Sequence, residues 1–293
     1  MFVKFPKAGL GNLMLIWARA TVFADINQLP IVTSSWWGMR WGAWKRNETR
    51  KRIYWNYFKE SSYLSRLSVF INLFFTRVIT DPPVQRIDQS LNKNALFVFS
   101  AIVTDTDLFG PLREHRGLIK TNIYRILQPR LKKEFDRYDA PEIAIHIRRG
   151  DFKLGNPVTP QSFFIDCINE ARIAGNKSWG VTVFTDAEKN EIEEVLSLPG
   201  VKLASRKPDI LDILLMSKSK VIVLSQSSTF SYWGAFLSDA IILMPGDDWQ
   251  HKLRSSGDDG NAEIKWKEGD SQCRIKLKES LAAANYYNTM PQM

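Results

Sequence analysis

The sequence predicts an α/β fold in which parallel β-strands alternate with helices. From residue 141 onward, short apolar runs typical of strands alternate with amphipathic runs typical of helices. The strand runs are apolar on both faces, as expected for a parallel sheet that helices cover on each side. The first residues of the chain begin the same strand–loop–helix pattern. These three observations predict Rossmann-like units.

The second half of the chain carries the regular part of this pattern. The predicted strands lie at 142–148, 180–185, 201–204, 220–225 and 240–244. The predicted helices lie at 160–174, 187–197, 209–218 and 229–238. After residue 245 the chain is polar, and we expect it either to pack back over the sheet or to have no fixed position.

The first half is less regular, and we predict a second α/β domain there. A strand at 2–5, a glycine loop at 8–12 and a helix to about residue 27 come first. Further predicted elements are strands at 30–35 and 95–100 and a basic helix at 118–137. A segment rich in Trp, Tyr, Arg and Lys interrupts the rhythm within 36–80. The predicted domains are residues 1–140 and residues 141–293.

Composition narrows the classes of partner. The chain has 293 residues, and 40 Lys and Arg against 31 Asp and Glu leave a formal charge of +9, which favours anionic partners such as nucleic acid, acidic lipid or a phosphorylated small molecule. Cys167 and Cys273 lie far apart, so we expect unpaired thiols in a reducing compartment. With only three histidines and no Cys/His cluster, a zinc site is not expected.

The sequence predicts a cytoplasmic protein. The N-terminal residues lack the apolar stretch and cleavage site of a signal peptide. The most apolar window, 63–79, contains Arg66 and Arg77 and is short for a membrane span, so a buried or interfacial helix is the better interpretation.

The stretch IAIHIRRGDF, residues 143–152, ends a predicted strand with two arginines. Strand alternation places His146 and Arg148 on one face and Arg149 on the other. The carboxyl ends of parallel strands are where open α/β sheets bind ligands. Arg148 is therefore a candidate ligand group, and a salt-bridged strand end is the alternative. Arg149 is expected to pair with Asp151 or another carboxylate.

The stretch SQSSTFSYWGAF, residues 225–236, connects a buried strand directly to a helix. Ser227, Ser228 and Thr229 are residue types that cap helices. Such a hydroxyl-rich turn offers free N–H groups and the positive end of a helix dipole, which together can bind an anion. A simple helix cap is the alternative.

Two further features suggest a nucleotide. Asp212 falls inside the apolar helix 209–218, where a carboxylate is costly unless it has donors. The adjacent N–H groups of a guanine edge would supply them, and a neighbouring helix or backbone is the alternative. The turn AGLGNLM, residues 8–14, contains a Gly-x-Gly with Asn12 at a predicted capping position, although the dinucleotide fingerprint is incomplete. Asp105-Thr106-Asp107 matches the short Asp-x-Asp pattern of metal–nucleotide sites.

In this order and spacing, the segments resemble the bacterial α-1,2-fucosyltransferases, glycosyltransferase family 11. The matching segments are GLGN (9–12), HIRRGDF (146–152), FTDA (184–187) and the long run at 212–237. Tyr232 and Phe236 stand where that family has tryptophans. Nod-factor α-1,6-fucosyltransferases and protein O-fucosyltransferases share the His-x-Arg-x-Gly-Asp element.

The resemblance implies a GT-B-type architecture, in which two Rossmann-like domains face each other across a cleft. It implies GDP-L-fucose as donor, no required metal or other cofactor, an acceptor-side N-terminal domain and a donor-binding C-terminal domain. The acceptor would be a galactose-containing glycan, and a lipid-linked glycan is one candidate. The donor-site residues it implies are Gly11, Asn12, Arg148, Asp186, Asp212, Ser227, Ser228, Thr229 and Phe230. Arg148, His146 and Asp151 are the catalytic candidates.

Alternatives remain open at this stage. The aromatic and basic segment 36–55 suits an acceptor sugar, an anionic membrane surface on the inner face of the membrane, or a structural insertion. A fucosyltransferase of other linkage or another nucleotide-sugar transferase would use the same scaffold. A nucleic-acid-binding protein using the basic segments 36–55 and 120–137 is a further class, and the regular α/β pattern without a known nucleic-acid motif argues against it.

Overall fold

The chain forms two compact units, Met1–Glu134 and Phe135–Met293. The structure, a computed structural model, describes residues 1–36, 54–59, 61, 63–88, 94–103, 107–149, 158–250, 252–255 and 262–289. Each unit contains a parallel sheet.

The first unit is a four-stranded parallel sheet with helices. Its elements are β1 (Phe2–Val3), α1 (Leu10–Asn27), β2 (Val32–Thr33), α2 (Tyr63–Phe75), β3 (Arg77–Thr80), β4 (Ala95–Phe99), a 3₁₀ turn (Gly110–His115), α3 (Arg116–Ile126) and α4 (Pro129–Asp136). The strand order is β2-β1-β4-β3, and every described pair is parallel. Apolar side chains of α1 pack on β1 and β4 to form the core of this unit.

Two predictions for the first unit were wrong in detail. The apolar window 63–79 is not one helix, because α2 ends at Phe75 and the β-branched run from Val78 continues as β3. The basic helix predicted at 118–137 is broken into α3 and α4. Pro129 lies at the break, and proline suits the first turn of a new helix because it lacks an N–H group.

The second unit contains a six-stranded parallel sheet. Its elements are β5 (Ile143–Ile147), α5 (Gln161–Ala174), β6 (Val181–Thr185), a 3₁₀ turn (Lys189–Ile192), α6 (Glu193–Leu196), β7 (Val201–Leu203), α7 (Asp209–Met216), β8 (Val221–Val223), α8 (Thr229–Leu237), β9 (Ile241–Pro245), β10 (Glu263–Trp266) and α9 (Ser271–Thr289). The strands and helices predicted between 142 and 244 are confirmed to within a few residues, except that 187–197 is a 3₁₀ turn followed by one short helix.

The strand order of this sheet fixes where a ligand can bind. The order is β10-β9-β8-β5-β6-β7, so the chain builds outward from β5 in one direction and then crosses back to β8. This is the doubly wound order in which ligands bind at the carboxyl ends of the two strands where the direction reverses. The reversal lies between β5 and β8, which pair from Ile143 with Val221 to Ile145 with Val223.

The predicted alternation along β5 is confirmed. Ile143, Ile145 and Ile147 are buried in one core cluster with residues of α5, β6, β8 and α9. His146 points away from that cluster and lies against Phe230. The strand therefore presents an apolar face to one helical layer and carries a polar side chain near its carboxyl end.

The polar segment after residue 245 extends the sheet. β10 adds to β9 as a parallel edge strand, and α9 packs against α5. Trp266 in β10 is buried, and its indole N–H donates a hydrogen bond to Asp166 at 2.7 Å. Ile264 and Trp266 from β10, together with Cys273, Leu277 and Leu281 from α9, join this segment to the core.

We predict that Gly234→Ala destabilises the second unit by about 1–3 kcal/mol, because an added Cβ would lie 3.0 Å from Cβ and Cε of Met216 where α7 meets α8. Gly117→Ala is the control, since its Cβ would have no atom within 4 Å and α3 would keep or slightly gain stability. Chemical denaturation of the two variants measures the difference, and equal stability would contradict the close approach.

Candidate functional site

One serine hydroxyl holds the ends of β5 and β8 together. Ser225 Oγ accepts a hydrogen bond from the main-chain N–H of Arg148 at 2.8 Å and donates to the carbonyl of His146 at 2.8 Å. The backbone ladder between the strands ends at Ile145 and Val223, so the buried side chain of Ser225 continues the pairing after the main chains separate. Polar groups that follow the two strands are thereby kept at one edge of the sheet.

Arg148 carries the accessible charge at this edge. Its guanidinium Nη1 lies 2.6 Å from Oδ2 of Asp186, and the two side chains are 25% and 21% exposed. Asp186 follows β6, and its other oxygen accepts the main-chain N–H of Arg149 at 2.8 Å. The carboxylate therefore fixes both the loop after β5 and the orientation of the guanidinium. The structure brings Arg148 and Asp186 together, as the sequence-based assignment of both to one site expects.

Arg149 has a different environment. Its side chain is buried, and Nη1 donates to the carbonyl of Arg148 at 3.1 Å. Burial lowers the pKa of Arg149, while the nearby Asp186 carboxylate opposes that shift. Arg149 therefore stabilises the loop from within, and only Arg148 presents its guanidinium at the surface.

His146 and Phe230 pack against each other behind this edge. Their ring centroids are 5.1 Å apart with the planes tilted by 30°. The imidazole is buried, with 3% of its surface exposed. This contact joins the end of β5 to the first turn of α8 and favours a positioning role for His146.

The turn between β8 and α8 presents hydroxyl and N–H groups at the same edge. Ser228 occupies the position before α8, but its side chain makes no capping hydrogen bond, so the predicted simple helix cap is not formed. The first N–H groups of a helix have no partner within it and carry the positive end of the dipole. Ser228, Thr229 and Phe230 thus begin a helix whose N-terminus is suited to an anion.

Asp212 has a partner within the protein. Its carboxylate is buried in α7, with Oδ1 3.4 Å from Nζ of Lys207, whose side chain is also buried. Lys207 donates a second hydrogen bond to the carbonyl of Ser205 at 2.7 Å. Asp212 therefore has a partner from the protein itself, although that partner is the side chain of Lys207 and not the neighbouring helix or backbone named as the alternative to guanine. The guanine assignment stays a prediction, and it requires Lys207 to share or release this carboxylate.

Gly11 and Asn12 belong to the first unit. The predicted capping position of Asn12 was wrong, because α1 begins at Leu10 after Gly9 and Asn12 lies inside the first turn. Gly11 is buried, and Asn12 is partly exposed. The residue before α1, Gly9, supplies no side-chain cap. The main-chain N–H of Leu10 instead donates a hydrogen bond to the hydroxyl of Tyr54 at 2.9 Å.

Several predicted residues lie outside the part of the chain that the structure describes. They are Asp151, Asp105, Thr106 and most of the aromatic segment 36–55. Asp107 is described, and its carboxylate pairs with Arg113 at 2.5 Å. Among the described residues, no group of three or more His, Cys, Asp or Glu side chains is placed to hold a metal ion. No helix in the described ranges is long and apolar enough to cross a membrane.

Sequence reasoning missed three residues at the site. Ser225 is the last residue of the apolar run 220–225. Its hydroxyl at the carboxyl end of a buried strand is the sequence feature that could have indicated a role at the site. Thr159 accepts the main-chain N–H of Gln226 at 3.0 Å from a loop before α5, which no local pattern indicates. Trp249 donates its indole N–H to Ser227 Oγ at 2.6 Å from beyond β9.

Solved structures align with this chain at low sequence identity. POFUT1 in complex with GDP-fucose aligns with a TM-score of 0.51 and 12% identity over 82% of this chain and 95% of that chain. The NodZ alpha-1,6-fucosyltransferase soaked with GDP-fucose aligns with a TM-score of 0.47 and 15% identity over 81% and 92%. A FUT1 variant from Arabidopsis thaliana in complex with GDP aligns with a TM-score of 0.45 and 11% identity over 83% and 70%.

The chain matches no protein-family profile and no curated protein. At these identities the likeness defines the fold class and nothing finer. The two parallel α/β units and the likeness to POFUT1 confirm the predicted α/β fold of GT-B type.

We predict that Lys207→Met lowers the free energy of unfolding by about 3–5 kcal/mol, because it removes the buried ammonium group that pairs with the carboxylate of Asp212. The double variant Lys207→Met/Asp212→Leu should recover most of that loss. Arg274→Met is the control, since its pair with Glu170 is exposed and should contribute less than about 1 kcal/mol. Denaturant unfolding curves give all three values, and a harmless Lys207→Met would show that the pair is not coupled.

Proposed function

We propose that the protein is an inverting glycosyltransferase that transfers L-fucose from GDP-L-fucose to a galactose-containing glycan, forming an α-1,2 linkage. One observation carries the proposal: Arg148 and the hydroxyl-rich turn before α8 meet at the reversal point of a doubly wound sheet. That is where such sheets bind nucleotides. The four motifs that resemble family 11 support the donor, and the fold shared with POFUT1 makes GDP-fucose the first donor to test.

Arg148 would stabilise the leaving group. As the bond between C1 of fucose and the diphosphate oxygen breaks, negative charge builds up on GDP. A guanidinium can donate two parallel hydrogen bonds to phosphate oxygens and cannot lose its proton. Asp186 holds that guanidinium in place before the ligand binds, and a donor oriented in advance stabilises the transition state without reorganisation.

The N-terminal end of α8 would bind the same diphosphate. Its first-turn N–H groups and the hydroxyls of Ser227, Ser228 and Thr229 supply hydrogen bonds without a metal ion. The resemblance to family 11 makes Gly11 and Asn12 further candidates for donor binding, and Asp212 would bind guanine in competition with Lys207.

The reaction needs one displacement. The acceptor hydroxyl attacks C1 from the face opposite the diphosphate, its proton passes to a base, and GDP leaves. A β-linked donor then becomes an α-linked product without a covalent enzyme intermediate. Because His146 is buried, Asp151 is the better of the two candidates for that base.

A panel of nucleotide sugars tests the donor. We expect GDP-fucose and GDP to raise the melting temperature of the protein, and UDP-sugars to have no effect at the same concentration. Incubation with GDP-fucose and a set of galactosides should then release GDP and form a fucosylated product. Stabilisation by another nucleotide sugar alone would favour the alternative transferase on this scaffold.

In the same assay, Arg148→Lys should lower kcat by roughly 10²–10³, because lysine keeps the charge but loses the planar pair of donors. Arg274→Lys is the matched control, since that arginine also pairs with a carboxylate in the second unit but lies far along the chain on α9. Near-normal turnover of Arg148→Lys would remove Arg148 from the mechanism.

We also propose peripheral contact with an anionic membrane surface, where a lipid-linked acceptor would be found. The predicted segment 36–55 lies mostly outside the described residues, and the support comes from α2. On the side of this helix away from the buried Val69, four apolar side chains are exposed, namely Leu67, Ile71, Phe74 and Phe75, with Phe75 82% exposed. Residues 63–80 contain two arginines and no carboxylate, which complements acidic lipid.

We predict that the wild-type protein sediments with vesicles of phosphatidylglycerol and not with vesicles of phosphatidylcholine. The double variant Phe74→Ser/Phe75→Ser should bind at least about tenfold more weakly, because it loses two large apolar groups. Ile173→Ser, which removes an exposed apolar group from α5 in the second unit, should bind as the wild type does. Equal sedimentation of all three proteins would exclude α2 as the contact surface.

A further inference from the structure

Ser227 has a backbone conformation that serine seldom adopts. Its φ of 55° lies in the left-handed region, which favours glycine. Residues in such conformations persist only when their surroundings hold them, and they concentrate at binding sites. Ser227 sits in the turn between β8 and α8, at the reversal point of the sheet. The contacts that hold this residue therefore bear directly on the candidate site.

Trp249, from the loop after β9, determines how the hydroxyl of Ser227 can be used. The indole Nε1–H lies 2.6 Å from Ser227 Oγ, and an indole can only donate a hydrogen bond. Ser227 Oγ must therefore be the acceptor in this contact. Among the described residues no acceptor takes the hydroxyl hydrogen of Ser227, so that hydrogen can be donated to a ligand. Phosphate oxygens are hydrogen-bond acceptors, so the hydroxyl of Ser227 can donate its hydrogen to a phosphate group while its oxygen accepts from Trp249.

The residue before Trp249 anchors the loop to α8. Asp248 is buried, and its two carboxylate oxygens lie 2.6 and 2.7 Å from the hydroxyl of Tyr232, which donates to them. Its Oδ1 also accepts the main-chain N–H of Gln250 at 3.1 Å. Burial raises the pKa of Asp248, while Tyr232, Gln250, the main-chain N–H of Ser227 and the charge of Lys265 oppose the rise.

Two side chains from neighbouring elements also hydrogen-bond to main-chain carbonyls of the loop after β9. Lys265 in β10 donates to the carbonyl of Asp248 at 2.5 Å, and Gln226 Nε2 donates to the carbonyl of Asp247 at 3.4 Å. The ring of Tyr232 also packs edge-on against Trp249, with centroids 6.3 Å apart. A loop that only connects β9 to β10 does not need a buried carboxylate bonded to a phenol of α8. Their presence indicates that the position of the turn itself matters.

We propose that Trp249 is a positioning residue that commits the hydroxyl of Ser227 to donate to the diphosphate of the donor, and that Tyr232 and Asp248 hold Trp249 in place. This inference rests on the proposed function and adds a residue to its binding site. Ser227 touches the ligand, and Trp249 acts through it.

The test compares binding of GDP and of inorganic pyrophosphate by calorimetry. Trp249→Phe keeps an aromatic ring but removes the indole N–H group, and it should weaken binding of both ligands roughly tenfold or more, the effect of one hydrogen bond to a charged group. Trp249→His, which keeps a ring N–H, should retain more of the affinity. Because 38% of the surface of Trp249 is exposed, the melting temperature of the Trp249→Phe variant should differ little from that of the wild type.

A double-variant cycle separates positioning from general destabilisation. If Trp249 acts through Ser227, then Ser227→Ala/Trp249→Phe should bind no more weakly than Ser227→Ala alone. Trp266→Phe is the matched control, because it also removes an indole N–H bonded to a side-chain oxygen, that of Asp166, in the same unit. It should lower stability and leave both affinities unchanged.

Each outcome supports or overturns the inference. Full affinity of Trp249→Phe, or additive losses in the cycle, would overturn it while the donor assignment stands. Binding of pyrophosphate without GDP would overturn the donor assignment, and the cycle would still decide the role of Trp249. Binding of neither ligand by the wild type would overturn both. Should Trp249→Phe not fold, full affinity of Ser227→Ala would overturn the inference.

Discussion

The hydrogen bonds of Ser225 are the interaction on which the candidate site depends. β5 and β8 must separate at their carboxyl ends to form a crevice, yet the groups that follow them must stay close. Ser225 meets both conditions because its hydroxyl accepts from Arg148 and donates to His146 just beyond the last paired residues. A backbone contact could not do this, since the main chains have already diverged. One buried hydroxyl thus sets the distance between Arg148 and the turn that begins α8.

The charged residues around that crevice have different structural roles. Asp186 accepts from Arg148 and from the main chain of Arg149, so one carboxylate orients the exposed guanidinium and anchors the loop that carries it. The adjacent arginine is buried and bonds to its neighbour's carbonyl. Two neighbouring arginines therefore have different roles, and strand alternation together with burial explains the difference.

Buried polar pairs surround the site and restrict its geometry. Lys207 with Asp212 and Tyr232 with Asp248 each place ionisable groups where water does not stabilise them. Such groups are costly unless partnered, so each pair holds its partners in one arrangement. The first pair joins Asp212 in α7 to Lys207 just before that helix, and the second fixes the loop after β9 against α8. The left-handed Ser227 belongs to the same arrangement, because the contacts of that loop hold it.

The sequence by itself determined the strands and most of the helices of the second unit as far as β9, since periodicity and chain spacing are local properties. It also placed Arg148 and the serine-rich turn at carboxyl strand ends, because alternation and turn chemistry can be read along the chain, whereas Asp186 was assigned through the family resemblance. Tertiary structure alone decided the strand order, the sixth strand after residue 262, and which groups meet. Ser225 with Arg148, Lys207 with Asp212 and Trp249 with Ser227 depend on distances across the fold. Hydrogen bonds act only at contact distance, and no spacing along one chain specifies which distant residues reach it.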